Sequence, residues 1–215
     1  MLDQAFRIYR IVAAMNNKFG CRIISDIGRT EEVIQLFRDN LHRPNNLKSI
    51  VEDLSLVRRS SQFSRLDSLE SLPYLSLGQL GRIAGGSYQV SEAVNYYFDT
   101  VNRYGQLSFF VCNTDVDYED HNIYVQELLL VKSRVGSRYS RAGSYFVFVL
   151  IDKAKEGRES ICEYFCQCLV GSRTLGCCCH VMAVIWFITW ARSTDRIRGP
   201  AEWLRDFAVR CESED

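Results

Sequence analysis

The stretch "YFCQCLVGSRTLGCCCHVMAVIWFITWARS", residues 164–193, holds five of the chain's nine cysteines and one of its three histidines. The cluster runs straight into an apolar segment, so its chemistry and the helix that follows must be read together. Cys166 and Cys168 are two apart. On an extended chain residues i and i+2 face the same way, so both sulfurs can grip one ion. Glycines at 171 and 176 let the chain turn back to Cys177, Cys178, Cys179 and His180. Three thiolates and one imidazole complete a tetrahedral set for structural zinc. The cysteine triple leaves two spacings open: Cys177 makes a CxxH pair with His180, and Cys178 a CxH pair. Because His180 opens the apolar run, an ion held there would pin a helix to the strand that carries Cys166 and Cys168.

Other chemistries fit the cluster less well. From Val181 to Ala191 only Thr189 interrupts the apolar residues. Eleven residues at about 1.5 Å each fall short of a hydrocarbon core, which needs about 20. A buried helix is expected, with no membrane role. The N-terminus, "MLDQAFRIYRIVAAMNNKFG", does not read as a signal peptide, since Arg7 and Arg10 interrupt it. A reducing, intracellular compartment follows from that reading, and nine cysteines are an odd number for a disulfide framework. A Cys–His catalytic pair is disfavoured as well, because such partners are usually far apart in sequence and other thiols here compete for oxidation.

The rest of the 215 residues has ordinary globular composition, 47% hydrophobic and 24% charged. Lys plus Arg equals Asp plus Glu at 26 each. The whole molecule therefore has no net field to draw in nucleic acid, and any such attraction must come from local charge. Residues 1–75 read as helical. Leu2, Phe6, Tyr9 and Met15 mark a first helix. Val33, Ile34, Phe37 and Leu41 mark a second, capped by Thr30, and Leu47, Ile50, Val51, Leu54 and Val57 a third, with asparagine caps in "PNN" at 44–46. The serine-rich segment 60–76 reads as a connector. A helix over Val90 to Val101 follows, then three strands: "QLSFFVC" (106–112), "NIYVQELLLV" (122–131) and "SYFVFVLI" (144–151). The gap "KSRVGSRYSRAG" between the last two is basic and reads as a loop. "GPAEWLRDFAVRC" reads as a final helix starting at Pro200.

"CQCLVGSRTLGCCCHVMAVIW" resembles a SWIM-type zinc finger, whose pattern is CxC, a short spacer, then CxH. It is similar in particular to the variant near the C-terminus of DDE-class transposase-derived proteins, where a "C-x-C-x-V-G-x-R-T-x-G-C-C-x-H" string leads into an apolar helix. The resemblance implies one structural Zn²⁺ held by Cys166, Cys168, Cys178 and His180, with Cys177 and Cys179 as neighbours. "LGQLGRIAGGSYQVSEAVNYYFDTV" and "LLLVKSRVGSRYSRAGSYFVFVLI" look like the region before the finger in those proteins. "LDQAFRIYRIVAAMNNKFGCRIISD" looks like the helix after their RNase H-like catalytic domain.

The expected fold is α+β: a helical N-terminal segment, then a small antiparallel β region capped by a zinc-stapled ββα module. The expected divisions are 1–75 helical, 76–160 α+β, 161–195 zinc finger, and 196–215 a C-terminal helix with an acidic tail. A DDE transposase needs three carboxylates holding two Mg²⁺. Asp3, Asp26, Glu31, Glu32, Asp39, Glu52 and Asp53 read instead as caps and solvated charges, so the chain is expected to lack enzyme activity and to have no small-molecule substrate. Two partners fit. One is DNA or RNA: no acid lies between Glu127 and Asp152, while Lys132, Arg134, Arg138 and Arg141 accumulate, with Tyr139 able to stack on a base and Arg173 able to join them. Arg173 has a second role available, offsetting the −1 of Zn²⁺ with three thiolates. The other partner is a protein, anchored by any exposed member of Trp186, Trp190 and Trp203. The resemblance places such a protein in the nucleus.

Overall fold

The computed structural model describes residues 30–40, 42–105, 107–113, 116–121, 123–124, 127–137 and 143–197. The expected first helix (Leu2 to Met15), the Pro200 helix and Trp203 lie outside these residues. The chain divides into two compact units, Met1–Gln35 and Leu36–Asp215. Of the first, residues 30–35 are described, the N-terminal part of helix α1 (Thr30–Asn40). Thr30, expected as the cap, is assigned as the first helical residue, a difference within the usual fraying of helix ends.

The second unit is α+β and is organised by one five-stranded antiparallel sheet in the order β1-β2-β3-β4-β5. The strands are β1 (Phe63–Arg65), β2 (Phe109–Cys112), β3 (Leu128–Gly136), β4 (Ser144–Asp152) and β5 (Ile161–Cys166). Two findings correct the sequence reading. β1 lies inside the segment read as a connector, and pairs with β2 through Phe63↔Cys112. β3 starts later and runs further than expected: Lys132 to Gly136, read as loop, pair with Phe148 to Ser144 of β4. The expected strand over 144–151 agrees with β4.

β4 is apolar without alternation because both of its faces are covered. Val147, Val149 and Ile151 enter one core with helices α3 (Leu77–Ala84), α4 (Ser87–Tyr104) and α5 (Cys179–Thr189). Phe148 and Leu150 enter a second core on the opposite face, beneath α2 (Asn46–Asp53) with its buried Leu47, Ile50 and Val51. The period-2 pleat sends successive residues to the two cores. α2 starts as expected, at an asparagine cap: Asn45 Oδ1 accepts the Lys48 N–H at 2.8 Å. Ser76 and Gln79 form a reciprocal capping box at the start of α3.

α5 carries most of the apolar run of 181–191, ending at Thr189 with Trp190 as its C-cap. Of its eleven residues only Cys179 and Phe187 are more than marginally accessible, as expected for a helix apolar on all sides and buried in a core. Trp186 is part of that core, and Trp190 packs against it half-buried. No described helix is long and apolar enough to cross a membrane.

Candidate metal centre

β5 ends at Cys166 and the chain turns immediately. The Gly171 N–H donates to Cys168 O at 2.9 Å, and the Cys166 N–H to Gly171 O at 3.0 Å. This knuckle needs glycine at 171, where a Cβ would stand 2.0 Å from the Cys166 carbonyl oxygen. Gly176, at φ +60°, takes the left-handed turn back, and a Cβ there would lie 2.6 Å from Ala84 O. Three side-chain bonds hold β5 and the loop that follows it. Asn45 Nδ2 donates to Tyr164 O at 2.9 Å, Thr174 Oγ1 to Asn40 O at 3.1 Å, and Tyr164 OH to Gly176 O at 3.1 Å.

The turn brings Cys166, Cys168, Cys178 and His180 together, with all four donor atoms within 4.8 Å of one another. Cys166 Sγ lies 3.8 Å from His180 Nδ1. Tetrahedral zinc with bonds of about 2.3 Å to sulfur and 2.0–2.1 Å to nitrogen sets S–S edges near ~3.8 Å and S–N edges near ~3.6 Å. The donors therefore stand at or within about 1 Å of those separations. Two backbone N–H groups already point at the sulfurs: Cys168 N to Cys166 Sγ at 3.4 Å, and Val181 N to Cys178 Sγ at 3.5 Å. Cys178 is also the N-cap of α5, where the positive end of the helix dipole favours a thiolate.

The three thiols of the cluster perturb one another strongly. Hydrogen bonds from Cys166 and Cys178 hold the Cys168 thiol well below the ordinary cysteine range. Its bonds to Cys168 and Cys178, with burial, push Cys166 up. Cys178 gains from Cys166, but its contact with Cys168 and burial outweigh that gain and leave it at about 12. Three thiolates this close would repel one another. A cation among them is what allows all three to ionise.

His180 is buried. Its ring is fixed by packing, 5.0 Å from Tyr96 edge-on and 5.3 Å from Tyr145, and its Nε2 is buried with no hydrogen-bond partner. Nδ1, the nitrogen facing Cys166, is the one placed to ligate. The two spacings left open by the cysteine triple are resolved in favour of Cys178. Cys177 is buried outside the cluster, and burial raises its thiol far above the usual range. Cys179 lies outside the cluster too.

The basic run fares differently. Lys132 is not in water. It is 4% exposed, and its Nζ donates to Leu56 O at 2.8 Å and Val57 O at 3.2 Å. The same ammonium sits 4.5 Å from the Phe63 ring centroid and 4.3 Å from that of Phe146. This corrects its assignment to a nucleic-acid surface. On β3 it shares a face with Leu130, which points into the core under α2. Arg134 is exposed, its Nε donating to Ser144 Oγ at 3.1 Å. Arg138, Tyr139 and Arg141 lie outside the described residues. Arg173 is exposed on the loop between the two ligand pairs.

Sequence reasoning passed over Tyr96, Tyr145, Tyr164 and Asn45, which wedge the histidine and tie down the loop. Their only sequence signal is residue type, since each reaches the site through the tertiary fold. Compared with models of known protein families, with curated proteins and with solved structures, the chain matches none.

Proposed function

We propose that Cys166, Cys168, Cys178 and His180 bind one zinc ion as a structural staple, in a SWIM-type module of a transposase-derived, catalytically incomplete nuclear protein that contacts nucleic acid. The convergence of the four donors carries the zinc reading. Three thiols and an imidazole favour zinc over oxygen-seeking cations. Four protein ligands also leave no open position for a water or substrate, which makes the ion structural. The described candidates for catalytic carboxylates support the non-enzyme reading, since Glu31, Asp39, Glu52 and Asp53 are all exposed side chains on α1 and α2.

Metal analysis of the purified full chain tests the staple. One zinc per chain is expected, and a protein without zinc that stays folded would refute it. For nucleic acid, the loss of Lys132 leaves Arg134, Arg138 and Arg141 as the basic run. Three phosphate contacts give a slope of log K against log salt of about −2.7 on duplex DNA. Absence of binding at ~50 mM salt would remove this partner. One observation favours a protein instead: Leu169 is fully exposed and Val170 partly so, at the tip of the knuckle. Such an anchor would bind with little salt dependence and be lost in Leu169→Asp.

A further inference from the structure

Beside the metal loop lies a small cleft of about 50 Å³ lined by Arg43, Arg82, Arg158 and Arg173, with Asn45 and Glu163. That volume is far below the ~300–1,000 Å³ of drug-sized ligand sites, so only a small group fits. The four arginines come from four places in the chain: the turn before α2, the last turn of α3, the 3₁₀ turn Gly157–Ser160, and the loop between the ligand pairs. One carboxylate faces them. Glu163 is buried and already paired with Arg43. Arg82, Arg158 and Arg173 form no ion pair with any described residue. Three cations without an ion-pair partner among the described residues thus line one cleft in a protein whose net charge is zero. All four arginines are exposed, with Ile83 and Ile161 in the walls between them.

Like charges gathered this way repel unless an anion joins them. The planar fork of arginine matches the oxygens of phosphate two at a time, and several forks on one cleft suit a group with three or four oxygens better than a carboxylate with two. We propose that this cleft binds a phosphate group, as a free phosphate or as a phosphate of nucleic acid. Arg82 and Arg158 supply walls from α3 and the 3₁₀ turn. Arg173 supplies a wall from the loop between the ligand pairs, and for that wall alone the proposal rests on the zinc reading. The position of the cleft is separate from the basic run: Arg134 does not line it.

The full chain, as purified and with its metal content measured, is titrated calorimetrically with inorganic phosphate, then with a short single-stranded oligonucleotide with and without a 5′-phosphate. Saturable binding is expected. Arg82→Ala and Arg158→Ala should each weaken it about tenfold or more. Glu163→Gln should tighten it by releasing Arg43, and Arg134→Ala should leave it unchanged. Oligonucleotide binding that needs the 5′-phosphate marks a terminal phosphate as the ligand. Equal binding without it marks the backbone, and inorganic phosphate binding alone marks the free ion. All three are lost in the Arg82 and Arg158 variants if the cleft is the site. Protein that lacks zinc yet still binds phosphate through Arg82 and Arg158 sinks the staple and keeps the cleft. Zinc-loaded protein that binds none of the three probes, or loses binding equally in Arg134→Ala and Arg82→Ala, overturns the cleft and keeps the staple.

Discussion

The two faces of the sheet each bury polar chemistry, and they handle it in opposite ways. On one face Cys166, Cys168, Cys178 and His180 are gathered within fifteen residues of chain and lie ready for an ion. On the other, Lys132 is a single cation whose partners, the carbonyls of Leu56 and Val57, lie 76 and 75 residues away. The first cluster is built from local spacing and, on the proposed reading, is completed by an ion from solution. The second is built from the fold and is complete in itself. Sequence local to a site can announce it; a partner brought in by a distant segment cannot.

The largest effects should come from breaking the first face. Structural zinc in small fingers is worth apparently ~10–16 kcal/mol, comparable to the ~5–15 kcal/mol stability of a whole domain. Cys168→Ala or His180→Ala should therefore lose the zinc and unfold the sheet region, read by metal content and circular dichroism. Cys162→Ser, Cys177→Ser and Cys179→Ser should keep the metal. Zinc loss in Cys177→Ser, with retention in Cys178→Ser, would reverse the choice between the two spacings.

Breaking the second face should cost less. Lys132→Ala removes charged hydrogen bonds to two carbonyls, worth about 1.5–3 kcal/mol by urea denaturation. Zinc content and the salt dependence of any DNA binding should stay as in the parent. A flattened salt slope in this variant would mean that Lys132 reaches phosphate after all, and that the two faces are not as different as described. Burial also lowers the Lys132 pKa from its ordinary 10.5. The folded chain then gives up this proton more readily than the unfolded one, so the lysine's contribution to stability rises with pH between its folded value and 10.5. Lys132→Met should remove that rise.

The smallest effect sharpens the boundary between the faces. Glu163 sits on β5, three residues before the first metal ligand. Burial raises its pKa above 4.5 and outweighs the Arg43 guanidinium that pulls it down. A carboxyl raised on folding favours the folded state most below 4.5, and that advantage is lost as pH climbs through its folded value. Glu163→Gln should flatten this decline, seen as a smaller difference in melting temperature between acid and neutral pH. An unchanged decline would assign it to other carboxyls.

Much of the fold was legible where local pattern and tertiary burial agree. β4 and α5 are apolar throughout and could only be buried, and Asn45 caps α2 as its sequence suggests. β1 was not legible, since three residues in a serine-rich segment become a strand only by pairing with Phe110 to Cys112. The end of β3 was hidden for a related reason. "KSRVG" has charged residues and a glycine, the marks of a loop, and stays extended because β4 pairs with it residue for residue.

By itself the sequence determined the donor set: two thiols two residues apart, a glycine-turned loop, and a thiol and imidazole opening an apolar helix. Those residues act within one short segment, where bond lengths and turn geometry leave few arrangements. The residue pattern left Cys177 and Cys178 open, and the resemblance pointed to Cys178. The tertiary structure shows Cys178 with Cys166, Cys168 and His180, and Cys177 outside them, which depends on where α5 starts against β5. It also decided that Lys132 is buried and that four arginines from distant segments face one cleft. Charge is written in the sequence, but whether it meets water, an aromatic ring or another charge is set by which segments the folded chain packs over it.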